Sequence, residues 1–270
     1  PVRVLYPRPR EGEKPWGGAA RLAAEAREIP AAEGGDTLVF LPGFREINRT
    51  RETILRDFPG LGAEIVTLHG QLRPEEQRRV LDPLPGVQSR VILSTNVAET
   101  SLTIPGVRSV VDSGLERRVR YLPRTGMDHW DTAPISNASA EQRRGRAGRL
   151  GPGVCLRWWG EADRRENFSP PEITESDLAP LVLETALWGS SPYDLKWITP
   201  PPRASVERAG SLLLALGLID DKYRITDIGR RSAGMGLHPR LARMIMSAAE
   251  REWLVTAAVA AAILEEGDRI

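Results

Sequence analysis

The sequence predicts an α/β fold over its first part, a parallel sheet with helices on both faces, followed by a smaller, mainly helical part. Three observations predict it. Short apolar runs at Thr37 to Leu41, Ala63 to Leu68, Arg90 to Ser94 and Val107 to Asp112 alternate with helical patterns at Phe44 to Asp57 and Pro74 to Leu81, and strands separated by helices pair in parallel and are covered on both sides. The 270 residues and a hydrophobic fraction of 41% suffice for two compact units, or one large and one or two small ones. After about Glu166 the character changes, with Ser169-Pro-Pro-Glu as a boundary and helical periodicity beyond it.

In chain order, Val2 to Tyr6 is strand-like, a Pro/Gly-rich segment follows, and a helical pattern runs from Trp16 to Arg27, ending at Pro30. The four strands above follow. Between Val107 to Asp112 and an arginine-rich stretch there are more residues than a short connection needs. Extended segments near Glu116 to Leu122 and Met127 to Pro134 flank Pro123-Arg-Thr-Gly126, which carries the turn formers of a hairpin. Val154 to Trp159 reads as a further strand of the sheet.

Beyond the boundary, helical patterns cover Ser176 to Trp188 and, after Pro200-Pro-Pro202, Ala204 to Leu216, where Gly217 stops the helix. Leu218 to Thr226 reads as two short strands around a polar turn. The order helix, helix, hairpin suggests a winged-helix module, whose second helix can bind nucleic acid. Here Arg203, Glu207 and Arg208 stand beside a Leu-rich stripe, which favours packing. From Pro239 apolar residues recur at helical spacing and leave a face uncovered without further helices. The expected organisation is residues 1–168 with a hairpin at about 116–134, then 169–234, then 235–270.

A net charge of +1 excludes a chain that is basic throughout, so any nucleic-acid surface is local. Only Lys14, Lys196 and Lys222 are lysines, and this bias makes raw arginine number poor evidence for phosphate binding. Residues 116 to 149 hold eight arginines against four acidic residues. The lone Cys155 lies in an apolar run and reads as a buried small hydrophobe, so disulfides are excluded and a reducing cytoplasm is expected. His69, His129 and His238 are scattered, without metal-ligand spacing, and no metal site is expected. No apolar run approaches ~20 residues, which indicates no membrane span. Opening on Pro1 and ending within a helical pattern, the chain reads as a piece of something longer.

The densest chemistry lies in Ser136-Asn-Ala-Ser-Ala-Glu-Gln-Arg-Arg-Gly-Arg-Ala-Gly-Arg149. As a helix beginning near Ser139, its period brings Gln142, Arg146 and Arg149 to one side. Guanidinium forks capture phosphate oxygens bidentately, and two on one face suit the charge of a transferring phosphoryl group. Gly145 and Gly148 fall on a neighbouring stripe, where another backbone can come close. An arginine-rich solvated face is the competing reading of such a run. Upstream, Val91-Ile-Leu-Ser-Thr-Asn-Val-Ala-Glu-Thr-Ser-Leu-Thr-Ile104 is a strand followed at once by a hydroxyl-rich turn, where open α/β sheets present ligand-binding residues.

These two stretches resemble motifs V and VI of the DEAH-box RNA helicases, in the form STNxAETSLT followed by QRxGRAGR. Leu38-Val-Phe-Leu-Pro-Gly-Phe-Arg-Glu-Ile47 looks like motif IV, Leu68-His-Gly-Gln-Leu-Arg-Pro-Glu-Glu-Gln77 also has a family look, and Gly151-Pro-Gly-Val-Cys-Leu-Arg157 is similar to the bacterial HrpB-type branch. The resemblance runs from about Asp36 to the end. It implies a second RecA-like half, a winged helix and the start of a helical bundle. It further implies that Gln142 contacts the γ-phosphate or positions the attacking water, that Arg146 and Arg149 act as arginine fingers, that Ser101 senses the nucleotide state and that Thr103 lies near the ribose. Thr95 and, more weakly, Gly43 would contact the RNA backbone, and the 116–134 hairpin would be the wedge that separates strands.

No G-x-x-x-x-G-K-[ST] sequence and no Asp-Glu-Ala-His occurs. ATP or another NTP, with Mg²⁺, would therefore be bound mainly by a missing first RecA-like domain, and the chain is expected to be inactive alone. Two departures from the pattern, Pro105 where an acidic residue holds ribose hydroxyls and Leu81 near where an aromatic stacks on the base, imply tolerance of several NTPs. The expected partners are RNA, with DNA as a possibility, and the first domain. A non-catalytic nucleic-acid-binding module with the same fold is the alternative, separated by single-turnover hydrolysis with a cognate first half.

Overall fold

The computed structural model describes residues 1–82, 89–100, 103–149 and 151–266. Its strands are β1 (Val2–Leu5), β2 (Asp36–Phe40), β3 (Glu64–Leu68), β4 (Arg90–Ser94), β5 (Val107–Asp112), β6 (Leu115–Leu122), β7 (Met127–Pro134) and β8 (Gly153–Arg157). Six of them form one sheet in the order β1-β8-β5-β2-β4-β3, every neighbouring pair parallel. The helices α1 (Pro15–Arg27), α2 (Phe44–Asp57), α3 (Pro74–Leu81), α4 (Val97–Thr100) and α5 (Asn137–Gly145) accompany it. This is the RecA-like layer the alternation predicts.

Side chains alternate across β2 and sort the core into two faces. Val39 and Leu41 join Ala19, Leu22, Ala23 and Ala26 of α1 and Ile47 and Ile54 of α2. Leu38 and Phe40 point the other way, to Ile92, Val110 and Cys155, with Ala98 of α4 and Ala147 after α5. Burial on both faces is why these strands read as unbroken apolar runs. At the amino-terminal edge Arg90 donates to the Asp36 carboxylate through Nε (2.9 Å) and Nη2 (2.6 Å), and through Nη1 to the Val80 carbonyl (2.7 Å), tying β2, β4 and α3 together.

Contacts divide the chain into one unit of residues 1–118 and 130–169 and a second of residues 119–129 and 170–270. β6 and β7 form a separate two-stranded sheet, joined through the turn that ends at Gly126, whose φ of 66° suits glycine. In the second unit, Tyr121 N donates to the Glu175 carbonyl at 2.9 Å. Helices α6 (Ala179–Leu187) and α7 (Arg203–Ala215) pack through Val182, Leu183, Val206, Ala209 and Leu213. The expected wing is reduced to one bridge, Ile219 to Ile225. The Asp220 carboxylate accepts from the backbone N–H of Lys222 and Arg224 at 2.9 Å each, so the turn consumes the residues that would have paired. A further helix, α8 (Asp227–Ala233), which the apolar pattern does not mark, begins on a Thr226 hydroxyl cap. Helices α9 (Pro239–Ala249) and α10 (Leu254–Glu266) complete the described chain.

Candidate functional site

In a parallel sheet the carboxyl ends of all strands share one edge. At the end of β4 the Thr95 N–H donates to the Leu68 carbonyl (3.2 Å), and the chain turns into α4. α5 starts beside this same edge at Asn137, two residues earlier than the sequence suggested. Ser136 is its cap, the hydroxyl accepting from Ser139 N at 3.2 Å.

α5 is anchored by Arg143, whose side chain is fully buried. Its Nη1 donates to Asp112 Oδ1, at the end of β5, and its Nε to Glu99 Oε2, each at 2.9 Å. The guanidinium also lies over the Phe40 ring, 4.8 Å from its centre. Burial pulls the Arg143 pKa down, but Asp112 and Glu99 outweigh it, and the group titrates above the ordinary guanidinium range. Helical periodicity does not mark Arg143 for a core part with two acidic partners. The legible signal was Asp112, a carboxylate closing an otherwise apolar strand, and Glu99 inside the motif V match.

From Arg146 the helix tightens to a 3₁₀ turn, Arg146–Gly148. This corrects the expectation of one continuous α-helix carrying three donors on one side. Three residues per turn keep Arg146 and Arg149 stacked, but Arg146 is buried, while Gln142 and Arg149 are exposed. Arg146 Nη2 donates to the Glu99 carbonyl, and Arg149 Nη1 donates to Thr103 Oγ1 at 2.5 Å. Burial and the neighbouring Arg149 both lower the Arg146 pKa against the pull of Glu99. Two cations held this way gain from an anion placed between them.

The element runs antiparallel to the strands. Arg143 stands at the last residues of β2 and β5, whereas Gly148 lies against Val2, the first residue of β1, and Gly153, the first of β8, lies against the Ala147 carbonyl. The arginine pair therefore sits down the face of the sheet, beside Glu99 of α4 and Thr103, and Thr95 sits at the carboxyl edge. The two glycines also differ from expectation. A Cβ on Gly148 would fall 2.6 Å from Val2 Cγ2, a side chain rather than a backbone, and one on Gly145 would meet nothing within 4 Å.

Gly43 caps α2, buried, its carbonyl accepting from Ile47 N at 3.0 Å, and it does not join the arginine pair. Ser101 lies outside the described residues. Of the two departures, Pro105 is exposed and Leu81 packs partly into the core. Burial pushes the Cys155 thiol up to about 12. Among the described residues no group of three His, Cys, Asp or Glu is placed to hold a metal ion, and no helix is long and apolar enough to cross a membrane.

Residues 21–151 match the helicase conserved C-terminal domain. The chain is 41% identical over 252 residues to the ATP-dependent RNA helicase HrpB of Escherichia coli K12, covering 92% of this chain and 31% of that protein. It is 35% identical to the pre-mRNA-splicing factor ATP-dependent RNA helicase prp22 of Schizosaccharomyces pombe, covering 93% of this chain and 22% of that protein. A crystal structure of the Escherichia coli DEAH/RHA helicase HrpB superimposes with a TM-score of 0.90 at 39% identity, over 100% of this chain and 34% of that one. The chain thus spans about a third of the length of its bacterial relative.

Proposed function

The chain belongs to the DEAH-box helicases of the HrpB type and carries their helicase conserved C-terminal domain, and from this premise we propose that it is the C-terminal half of the motor of an ATP-dependent RNA helicase. The observation that carries the reading is the stacked pair Arg146 and Arg149 with Gln142 nearby, Gln142 and Arg149 open to solvent and the Arg146 cation destabilised by burial and by its neighbour. Such a donor set fits a triphosphate.

In this reading a first RecA-like half binds ATP or another NTP together with Mg²⁺, and the nucleotide supplies the phosphoryl group to be transferred. Arg146 and Arg149 neutralise charge that develops on it, Gln142 orients the γ-phosphate or the attacking water, and Thr103 lies near the ribose. Ser101 is assigned the sensing of nucleotide state. Thr95 and Gly43 contact the RNA backbone without reading sequence, as a translocating enzyme requires. The 116–134 hairpin is the wedge, residues 169–234 the winged helix and residues 235–270 the opening of the helical bundle. Alone, the chain does not hydrolyse NTP.

The test is Arg149→Ala in the full-length protein. NTP turnover is expected to fall by about 10³ to 10⁵ with RNA affinity preserved; wild-type turnover refutes the assignment. RNA affinity that does not fall with rising salt would instead refute the RNA contact.

A further inference from the structure

Four side chains of the α5 element, spaced along its whole length, bond to one short stretch of chain. Ser139 Oγ donates to Glu99 Oε1 at 2.5 Å and Arg143 Nε to Glu99 Oε2 at 2.9 Å. Arg146 reaches the Glu99 carbonyl and Arg149 the Thr103 hydroxyl. Three of the four end on a single residue. Glu99 lies four positions after Thr95 and four before Thr103 in the sequence. Both carboxylate oxygens of Glu99 are spent on α5.

The other end of the arrangement is incompletely satisfied. Arg143 Nη2 and Asp112 Oδ2 are both buried and have no hydrogen-bond partner among the described residues. A spare donor and a spare acceptor on two groups already bonded to each other are what a second pairing of the same groups needs. That spare capacity admits, besides the observed arrangement with Arg143 shared between Glu99 and Asp112, a second one with Arg143 more fully on Asp112 and Glu99 released.

We propose that Glu99 is a positioning residue that couples the RNA-contacting turn at Thr95 to the arginine pair, through a two-position hydrogen-bond switch on Arg143. Displacement of α4 when a strand engages Thr95 pulls on the Glu99 carboxylate. That bond sets the rotation of α5, and the Glu99 carbonyl and Thr103 carry the same displacement to Arg146 and Arg149. This inference rests on the reading of Arg146 and Arg149 given above, but it concerns a residue with no place in phosphate or RNA contact.

The experiment measures linkage in the full-length protein: the affinity for an oligo(U) strand with and without a non-hydrolysable NTP analogue. Coupling between two such sites ordinarily amounts to about 5- to 150-fold and is reciprocal. Glu99→Gln keeps the shape and removes the charge. It is expected to leave the nucleotide-free RNA affinity within about threefold of wild type and to bring the nucleotide-induced change close to onefold. Ser139→Ala, which removes one of the two carboxylate bonds, is expected to lower the coupling partway and decides the matter alone if Glu99→Gln fails to fold. A folded Glu99→Gln protein with wild-type coupling, a Ser139→Ala protein with wild-type coupling, or a wild type with no coupling each overturns the proposal. An Arg149→Ala protein that turns over normally refutes the underlying functional reading, whereas loss of turnover in Arg149→Ala with intact coupling in Glu99→Gln refutes the switch alone.

Discussion

Arg143 and Asp112, 31 residues apart in sequence, meet at 2.9 Å with both side chains fully buried. The pair lies at the carboxyl end of the sheet, because Asp112 is the last residue of β5, and Arg143 stands in the last turn of α5. Asp112 Oδ1 also accepts from Gly114 N at 2.9 Å, so one carboxylate oxygen fixes both the arginine and the turn into β6.

Removing Arg143 leaves the buried Asp112 without its counter-charge, and removing Asp112 leaves the buried Arg143 with Glu99 alone. Asp112→Leu or Arg143→Met is expected to destabilise the fold by about 3 to 5 kcal/mol, while the double variant recovers a large part of that loss. Urea denaturation of the two single variants and the double variant measures it, and additive losses would show that the pair acts as two independent core positions.

The two glycines of the arginine element give opposite results. Gly148→Ala drives a methyl into Val2 and is expected to cost about 1 to 3 kcal/mol. Gly145→Ala adds its methyl to open space at helical backbone angles and is expected to stabilise by about 0.5 to 1 kcal/mol. Thermal melts of the two variants separate a packing requirement from a merely tolerated glycine.

Stability also depends on acid through Glu13. Bidentate hydrogen bonds from Arg21, at 2.7 and 2.9 Å, hold the Glu13 carboxyl down to about 2 from its ordinary 4.5, against the opposing effect of burial and with help from the Arg10 N–H and the Trp158 indole. The folded value is the lower one, so the contribution is complete above about pH 4.5 and disappears as pH falls through 2. Its size is on the order of 2 to 3 kcal/mol. The stability difference between wild type and Glu13→Gln, followed from pH 6 to pH 2, is expected to shrink accordingly. A difference independent of pH would assign the effect to packing.

Selectivity among nucleotides follows from Pro105, exposed and without a side-chain acceptor, and from Leu81, turned partly into the core. The full-length protein is expected to use ATP, GTP, CTP and UTP with kcat/KM values within about tenfold, since the phosphate contacts are common to all four and the base is left without a specific partner here. A strong preference for ATP contradicts this.

Local sequence determined the elements. Phe44 to Asp57 and Pro74 to Leu81 are helices over the very residues the periodicity marks, and Arg90 to Ser94 and Val107 to Asp112 are strands with the same bounds, because period, flanking Pro and Gly, and apolar run length act within a few residues. The arginine run and the hydroxyl-rich turn were likewise legible as chemistry. What only the tertiary structure decided is the direction each arginine takes. Arg143 went into the core and Arg149 to the surface because their partners, Asp112, Glu99 and Thr103, come from 31 to 46 positions away, beyond the reach of helical periodicity. The tightening at Arg146 and the role of Glu99 have the same origin: a periodic pattern says which residues share a face, and only the neighbouring element says what that face meets.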